Sequence, residues 1–237
     1  MTQFNPNTVS RGTISLKTYL SKVFSISALG VLISAVVALI ASSNIYNFYR
    51  VVNNAPMVVL VLCFAEIGIA IYMTAALRKM SKSTMWICFV AYSVLTGLTL
   101  SILFASYEVG SIVFAFVSST ILFASMAFIG RTTNVDFTRF GSMLAAGLLA
   151  IIITSLLNMF FFRSATINYF MAVIGVIIFL VIIAYDVQKL QRYYDQGTYD
   201  QEFGEKMMIM GAFELYLDFI NLFIRILQIF GRRRSNR

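Results

Sequence analysis

The sequence predicts an all-α integral membrane protein of seven transmembrane helices, with the last helix at the centre. Three observations carry this. Of 237 residues, 59% are hydrophobic and only 12% charged, where soluble domains have roughly 45–50% and about 25%; the mean hydropathy is +0.84. The apolar residues fall into seven blocks of about the 20 residues a helix needs to cross a bilayer core. The seventh block alone carries a row of charged and polar side chains along one helical face.

The polar stretch MTQFNPNTVSRGT comes first, followed by TISLKTYLSK, which reads as a short interfacial helix within a polar segment 1–22. It feeds a first span at about 23–43. That run is too long for a signal h-region and no small-residue cleavage site closes it, so it does not read as a cleavable signal. The second span, about 56–77, opens on Pro56, whose missing N–H would be unpaired in a first turn anyway. Spans three to six follow at about 85–105, 110–130, 141–162 and 167–187, and the seventh at about 207–230. The resulting transmembrane domain, 23–230, leaves only a basic tail, 231–237, and no room for a separate soluble domain.

Orientation follows from Lys and Arg in short loops. Arg11, Lys17 and Lys22, then Arg78, Lys79 and Lys82, then Arg131 and Arg139, then Lys189, Arg192 and Lys206 all fall on the N-terminal side. The opposite loops hold Arg50 and Arg163, so the N-terminus is expected in the cytoplasm. Seven complete spans would put the tail GRRRSNR outside, against the rule; either its charges are tolerated or the last segment does not cross fully.

The formal charge is +8, but the basic residues sit between apolar blocks, so nucleic acid is not the expected partner; the lipid bilayer is. Histidine is absent, which excludes His-based triads, His-ligated metals and His proton relays. Cys63 and Cys88 lie in apolar runs and read as packing residues rather than a disulfide or zinc site.

An ionisable side chain near the bilayer centre costs a few kcal/mol, about 2.5–3.5 on insertion scales, so each is a functional candidate. They are Glu66 in span two, Asp186 at the end of span six, and Glu214, Asp218 and Arg225 in span seven, with Arg78 capping span two. Asp186 reads either as an interfacial carboxylate or as a paired one. Glu214, Asp218, Asn221 and Arg225 share one face of span seven at helical spacing, so this stripe must face protein or a water-lined pathway. At about 1.5 Å per residue, Arg225 is too far up the axis to pair easily with Asp218. Glu66 reads equally as a neutral side chain hydrogen-bonded between helices or as part of an ion pathway.

Other chemistries fail on their motifs. There is no G-x-x-x-x-G-K-[ST], so no ATP-driven pumping by this chain, and no lysine inside span seven for a retinal Schiff base. The acidic connection DQGTYDQEFGE lacks the alternate oxygen ligands of an EF-hand and reads as a solvated loop. The aromatic residues read as lipid-facing or packing side chains.

At these residues the chain resembles the Bax inhibitor-1 family, the transmembrane Bax inhibitor motif proteins, in its bacterial branch. The resemblance rests on AVIGVIIFLVIIAYDVQKL followed by ELYLDFINLFIRILQIFG, with AEIGIAIYM in span two and TGLTLS in span three. It implies a last helix surrounded by the other six, a pH-sensitive calcium leak, and a pH-sensing aspartate pair at Asp186 and Asp218. It also implies that Glu66 is the span-two glutamate and that Arg78 is the nearest match to an arginine that competes for the sensor aspartate. Glu214 and Arg225 are not carried over from the pattern.

Charge physics agrees with that reading. Two carboxylates within about 3 Å in a low-dielectric site share a proton, because both cannot ionise cheaply, and titrate as a unit. A change in proton count, or transfer of Asp186 to Arg78, would let spans six and seven part. Calcium, which takes about six to eight oxygen ligands in flexible geometry, would meet Asp186 and Asp218 as metal-binding carboxylates and Glu66, Glu214 and Asn221 along its path. It is expected as a transported ligand with protons, not as a resident cofactor. No enzymatic activity is expected: the YD of intramembrane aspartyl proteases has an echo here, but their GxGD does not. The alternative reading is a membrane interaction protein that modulates a quality-control protease or stress response through a membrane protein partner. The branch of the resemblance places the chain in a bacterial cytoplasmic membrane.

Overall fold

The computed structural model describes residues 14–43, 57–197 and 201–234. The N-terminal stretch with Arg11, the positions of Arg50, Pro56 and Asp200, and the last three residues lie outside these. Seven helices are long and apolar enough to cross a membrane. They are α1 (Leu16–Ser43), α2 (Met57–Ala75), α3 (Lys82–Ser106), α4 (Val109–Thr132), α5 (Gly141–Leu157), α6 (Ala165–Gly197) and α7 (Gln201–Phe230). Among the described residues there is no β-strand beyond one isolated bridge, Tyr107 with Arg233.

The spans sit where hydropathy puts them, but three helices outrun it. The TYLSK stretch, expected in a separate interfacial helix, is the first part of α1, which is continuous from Leu16. Helix α6 runs on to Gly197 and α7 starts at Gln201, so most of the acidic segment expected as a loop is helical. Two of its carboxylates there find cations: Glu205 meets Lys82 at 2.6 Å and Glu202 meets Lys206 at 2.9 Å.

Helix α7 is the axis of the bundle. Of its most apolar window 72% is buried, against 33% at most for any other helix. It packs directly on α6, α1, α4 and α3, while α2 packs chiefly against α3 and α5 against α6. The immediate ring therefore has four helices, with α2 and α5 behind it. Large apolar side chains such as Phe64, Ile71, Phe128 and Ile177 point outward, as a lipid-facing surface requires.

Hydrocarbon solvates an apolar face as well as another helix does, so packing and interhelical hydrogen bonds must drive assembly here. The Ser34 hydroxyl of α1 lies 2.7 Å from the Tyr216 hydroxyl of α7 and donates to the Ser93 carbonyl of α3 at 2.7 Å. Phe89, Tyr92, Phe213 and Tyr216 stack edge to face around that junction. Gly130 lets α4 approach α6 so closely that a Cβ there would lie 2.7 Å from the backbone of Ala184.

The two ends of the bundle can be told apart by which segments bond at each. Tyr194 near the end of α6 donates its hydroxyl to the Ile14 carbonyl, and Gln188 and Arg192 of α6 bond to Val135, Phe137 and Thr138 of the α4–α5 connection. These ends form the N-terminal face. The tail after α7 pairs instead with the α3–α4 connection, Glu108 N to Arg232 O at 3.0 Å and Arg234 N to Ser106 O at 2.9 Å. It therefore lies on the opposite face, which removes the reading in which the last segment stops short. On that face α5 closes with a π-turn, Asn158–Phe162, followed by Arg163 in the left-handed region at φ 48°. The buried Asn158 amide braces it against Ser164 and Asn168.

On the N-terminal face, a 3₁₀ turn, Phe137–Phe140, is capped by Asp136. Its carboxylate accepts from the Thr138 hydroxyl, from Thr138 N at 3.0 Å and from Arg139 Nε at 3.2 Å. The hydroxyl bond above all holds this exposed carboxyl below the usual range. A depressed folded value contributes stability above the unfolded value of about 3.9 and loses it as pH falls through the folded one. Asp136→Ala is thus expected to lower the thermal midpoint in detergent near neutral pH, the gap from wild type closing in strong acid. Gly130→Leu should cost about 1–3 kcal/mol through overpacking, whereas Gly68→Leu, whose Cβ would meet nothing within 4 Å, should leave the same midpoint unmoved.

Candidate functional site

The polar stripe of α7 runs along its seam with α6. Asp186 of α6 and Asp218 of α7 are 7% and 5% exposed, and their carboxyl groups are neighbours across the seam, close enough to interact. Carboxylates have only acceptors; a hydrogen bond between them requires one of the two to carry a proton. One turn toward the N-terminal face, Glu214 Oε1 accepts from Lys189 Nζ at 2.7 Å and from the Tyr193 hydroxyl at 3.1 Å. The Lys189 ammonium also lies 3.9 Å from Asp186 Oδ1 and 5.2 Å from the Tyr193 ring centroid.

The helix period builds this cluster. Asp186, Lys189 and Tyr193 are spaced i, i+3, i+7 on α6, and Glu214 and Asp218 i, i+4 on α7, so each set shares one face. Two carboxyl oxygens in the cluster are buried without a hydrogen-bond partner among the described residues, Oδ2 of Asp218 and Oε2 of Glu214. Unsatisfied buried acceptors are costly.

The structure brings Asp186, Asp218 and Glu214 together and leaves the other candidates apart. Arg78 is not at the pair. Helix α2 ends at Ala75, and Arg78 lies beyond it in an exposed turn with no ion pair among the described residues. The cation beside Asp186 is Lys189, which the loop count had assigned to a connection. The signal available in the sequence was its i+3 spacing from Asp186; its partner Glu214 lies on another helix.

Glu66 is half-buried at the α2–α3 interface, where its Oε1 accepts from the Thr99 hydroxyl at 2.8 Å. Neither of those helices contributes to the aspartate pair. This is the interhelical hydrogen bond that was one of its two readings. Asn221 donates its amide to the Leu217 carbonyl of its own helix at 2.8 Å. Arg225 pairs with no carboxylate among the described residues; it donates to Gln228 Oε1 at 3.2 Å, and its stem lies against Gly175 of α6, where a Cβ would meet it at 3.0 Å. Among the described residues, no group of three or more His, Cys, Asp or Glu has the arrangement of a metal site. The aspartate pair brings two oxygens per carboxyl, fewer than the about six to eight that calcium takes, so a passing ion would need carbonyls and water as well.

A family model described as "Inhibitor of apoptosis-promoting Bax1" matches residues 16–235. The chain is similar to the inner membrane protein YbhL of Escherichia coli, 38% identical over 220 residues that cover 92% of this chain and 93% of that protein. An uncharacterized protein of Borreliella burgdorferi is 39% identical over 218 residues, with 92% of this chain and 93% of that one covered. An uncharacterized membrane protein of Streptococcus pyogenes is 34% identical over 224 residues, with 94% and 96% covered.

Removing the cation from the seam should be expensive, because it leaves buried carboxyls without a counter-charge, at about 3–5 kcal/mol for breaking a buried pair. Lys189→Met is expected to lower the thermal midpoint strongly in detergent, and Lys189→Met with Glu214→Leu to recover most of the loss. A midpoint unchanged by the single substitution would show that the ion pair is idle.

Proposed function

The chain belongs to the Bax inhibitor-1 family of membrane proteins, and from that premise we propose that it is a pH-sensitive calcium leak channel or low-rate transporter gated by the proton shared between Asp186 and Asp218. The observation that supports this reading is the burial of two carboxyl groups, Asp186 and Asp218, side by side in the seam between α6 and α7; one proton shared between them would join the helices by a hydrogen bond. With one proton in the pair, the two helices are tied and the seam is closed. With none, two adjacent carboxylates repel in a low-dielectric setting and Lys189 can draw Asp186 away. The opened seam then offers carboxyl oxygens to calcium.

In this reading Lys189 has the competing role that sequence comparison suggested for Arg78. Glu214 and Tyr193 lie between the pair and the N-terminal face, and form the route by which protons reach it. The membrane is a bacterial cytoplasmic membrane, with the N-terminal face, rich in lysine and arginine, toward the cytoplasm. The tail arginines are an exception to that bias, borne on the opposite face.

The test is calcium entry into liposomes that contain the full chain, followed across a pH series. Wild type is expected to pass calcium with a pH dependence that Asp218→Asn and Asp186→Asn each abolish. Flux of unaltered pH dependence in both variants would remove the sensor. No calcium entry by wild type at any pH would remove the transport reading and leave the interaction protein.

A further inference from the structure

Between α1 and α4 the enclosure of α7 is incomplete. Helices α1 and α4 meet at Phe24 and Phe123, whose rings are 6.3 Å apart on the N-terminal side of their midpoints. Toward the opposite face they leave a cavity of about 380 Å³, within the about 300–1,000 Å³ range of small-molecule sites. Ala35 and Leu39 of α1 form one wall, Val113 and Phe116 of α4 the other, and Phe223 of α7 part of the floor. Leu39 and Val113 are 60% and 56% exposed, so the walls open sideways to the space the bilayer fills.

Among the described residues, one charged residue lines this cavity, Arg234. It is held there by the backbone: Arg234 N donates to Ser106 O at 2.9 Å, Glu108 N to Arg232 O at 3.0 Å, and Arg232 N to the Ser111 hydroxyl at 3.0 Å. Gly231 makes the turn into this bridge, since a Cβ there would lie 2.3 Å from Leu227 O and 2.5 Å from the Tyr107 ring. Arg234, like Arg232 and Arg233 beside it, is exposed, with Glu108 the nearby acid. The Ser42 hydroxyl, also on the lining, is committed to the Leu39 carbonyl at 3.0 Å.

We propose that this groove is a binding site for one anionic phospholipid, an acyl chain lying against α7 between α1 and α4 with its phosphate on Arg234. Three features select that occupant. The walls are apolar and match a hydrocarbon chain. The cation stands at the end of the spans, at headgroup depth. The side opening faces the bilayer, so a lipid enters without crossing water. A soluble phosphate matches the arginine alone and leaves the apolar groove unfilled. The site is separate from the aspartate seam, and it does not depend on the transport reading.

The test is native mass spectrometry of the full chain in detergent micelles, offered phosphatidylglycerol or phosphatidylcholine of the same chains. Wild type is expected to retain one phosphatidylglycerol in preference to phosphatidylcholine, and excess inorganic phosphate is expected not to displace it. Arg234→Glu should lower the phosphatidylglycerol-bound fraction about tenfold or more, the scale of a charge-assisted hydrogen bond. Ala35→Trp, which fills the groove without touching the charge, should lower retention of both lipids, and Arg163→Glu, on the same face but outside the lining, should change nothing. Equal retention by wild type, Arg234→Glu and Ala35→Trp would overturn the site, as would an Arg163→Glu loss equal to that of Arg234→Glu. Displacement by inorganic phosphate alone would also overturn it.

Discussion

A hydrogen bond between two carboxyl groups exists only while one of them holds a proton, and the α6–α7 seam buries two carboxyl groups, Asp186 and Asp218, where such a bond would form. It would join the axial helix to the neighbour it packs most extensively against, at a depth where water does not screen it. Remove the proton, and attraction becomes repulsion between two charges in a medium where Coulomb energies are several times those in water. Few single events of similar chemical size could change a helix contact as much. Lys189 and Glu214 make the seam responsive: a cation already within 3.9 Å of Asp186 can compensate a charge that appears there.

The rest of the bundle holds α7 by contacts of a different kind. On its other sides α7 is held by interactions indifferent to protons near neutrality: the Ser34–Tyr216 hydroxyl contact, the edge-to-face aromatic junction, and close packing on α1, α3 and α4. Helix α2, with Glu66 bonded to Thr99, and helix α5, braced by Asn158, lie outside this ring. The polar, titratable contacts of α7 thus lie on one side of it and the apolar or hydroxyl contacts on the others.

Much of this was legible in the sequence. Hydropathy located all seven spans because the bilayer imposes a length on each, and the 3.6-residue period of Glu214, Asp218, Asn221 and Arg225 marked α7 as the helix with a polar face to shelter. Motif resemblance to the Bax inhibitor-1 family picked out Asp186 and Asp218, which the fold brings together. What hydropathy missed is what it does not measure: α1, α6 and α7 continue as helices past the hydrocarbon because backbone hydrogen bonding continues there. Lys189 looked like a loop charge because its partner Glu214 is 25 residues away, and Arg78 looked like a competitor because motif register says nothing of where α2 ends. The groove beside Arg234 arises from two helices diverging and a tail folding back, a tertiary fact without a local signature.

In the proposed mechanism one proton resides between Asp186 and Asp218 and holds α6 to α7. Infrared spectroscopy of the protonated carboxyl band, taken across pH on wild type and on Asp186→Asn and Asp218→Asn, addresses it directly. The mechanism requires a strongly hydrogen-bonded protonated carboxyl in wild type that is missing from both variants and that disappears as pH rises. A wild-type spectrum without that band at every pH, or a band unaffected by either substitution, would contradict it.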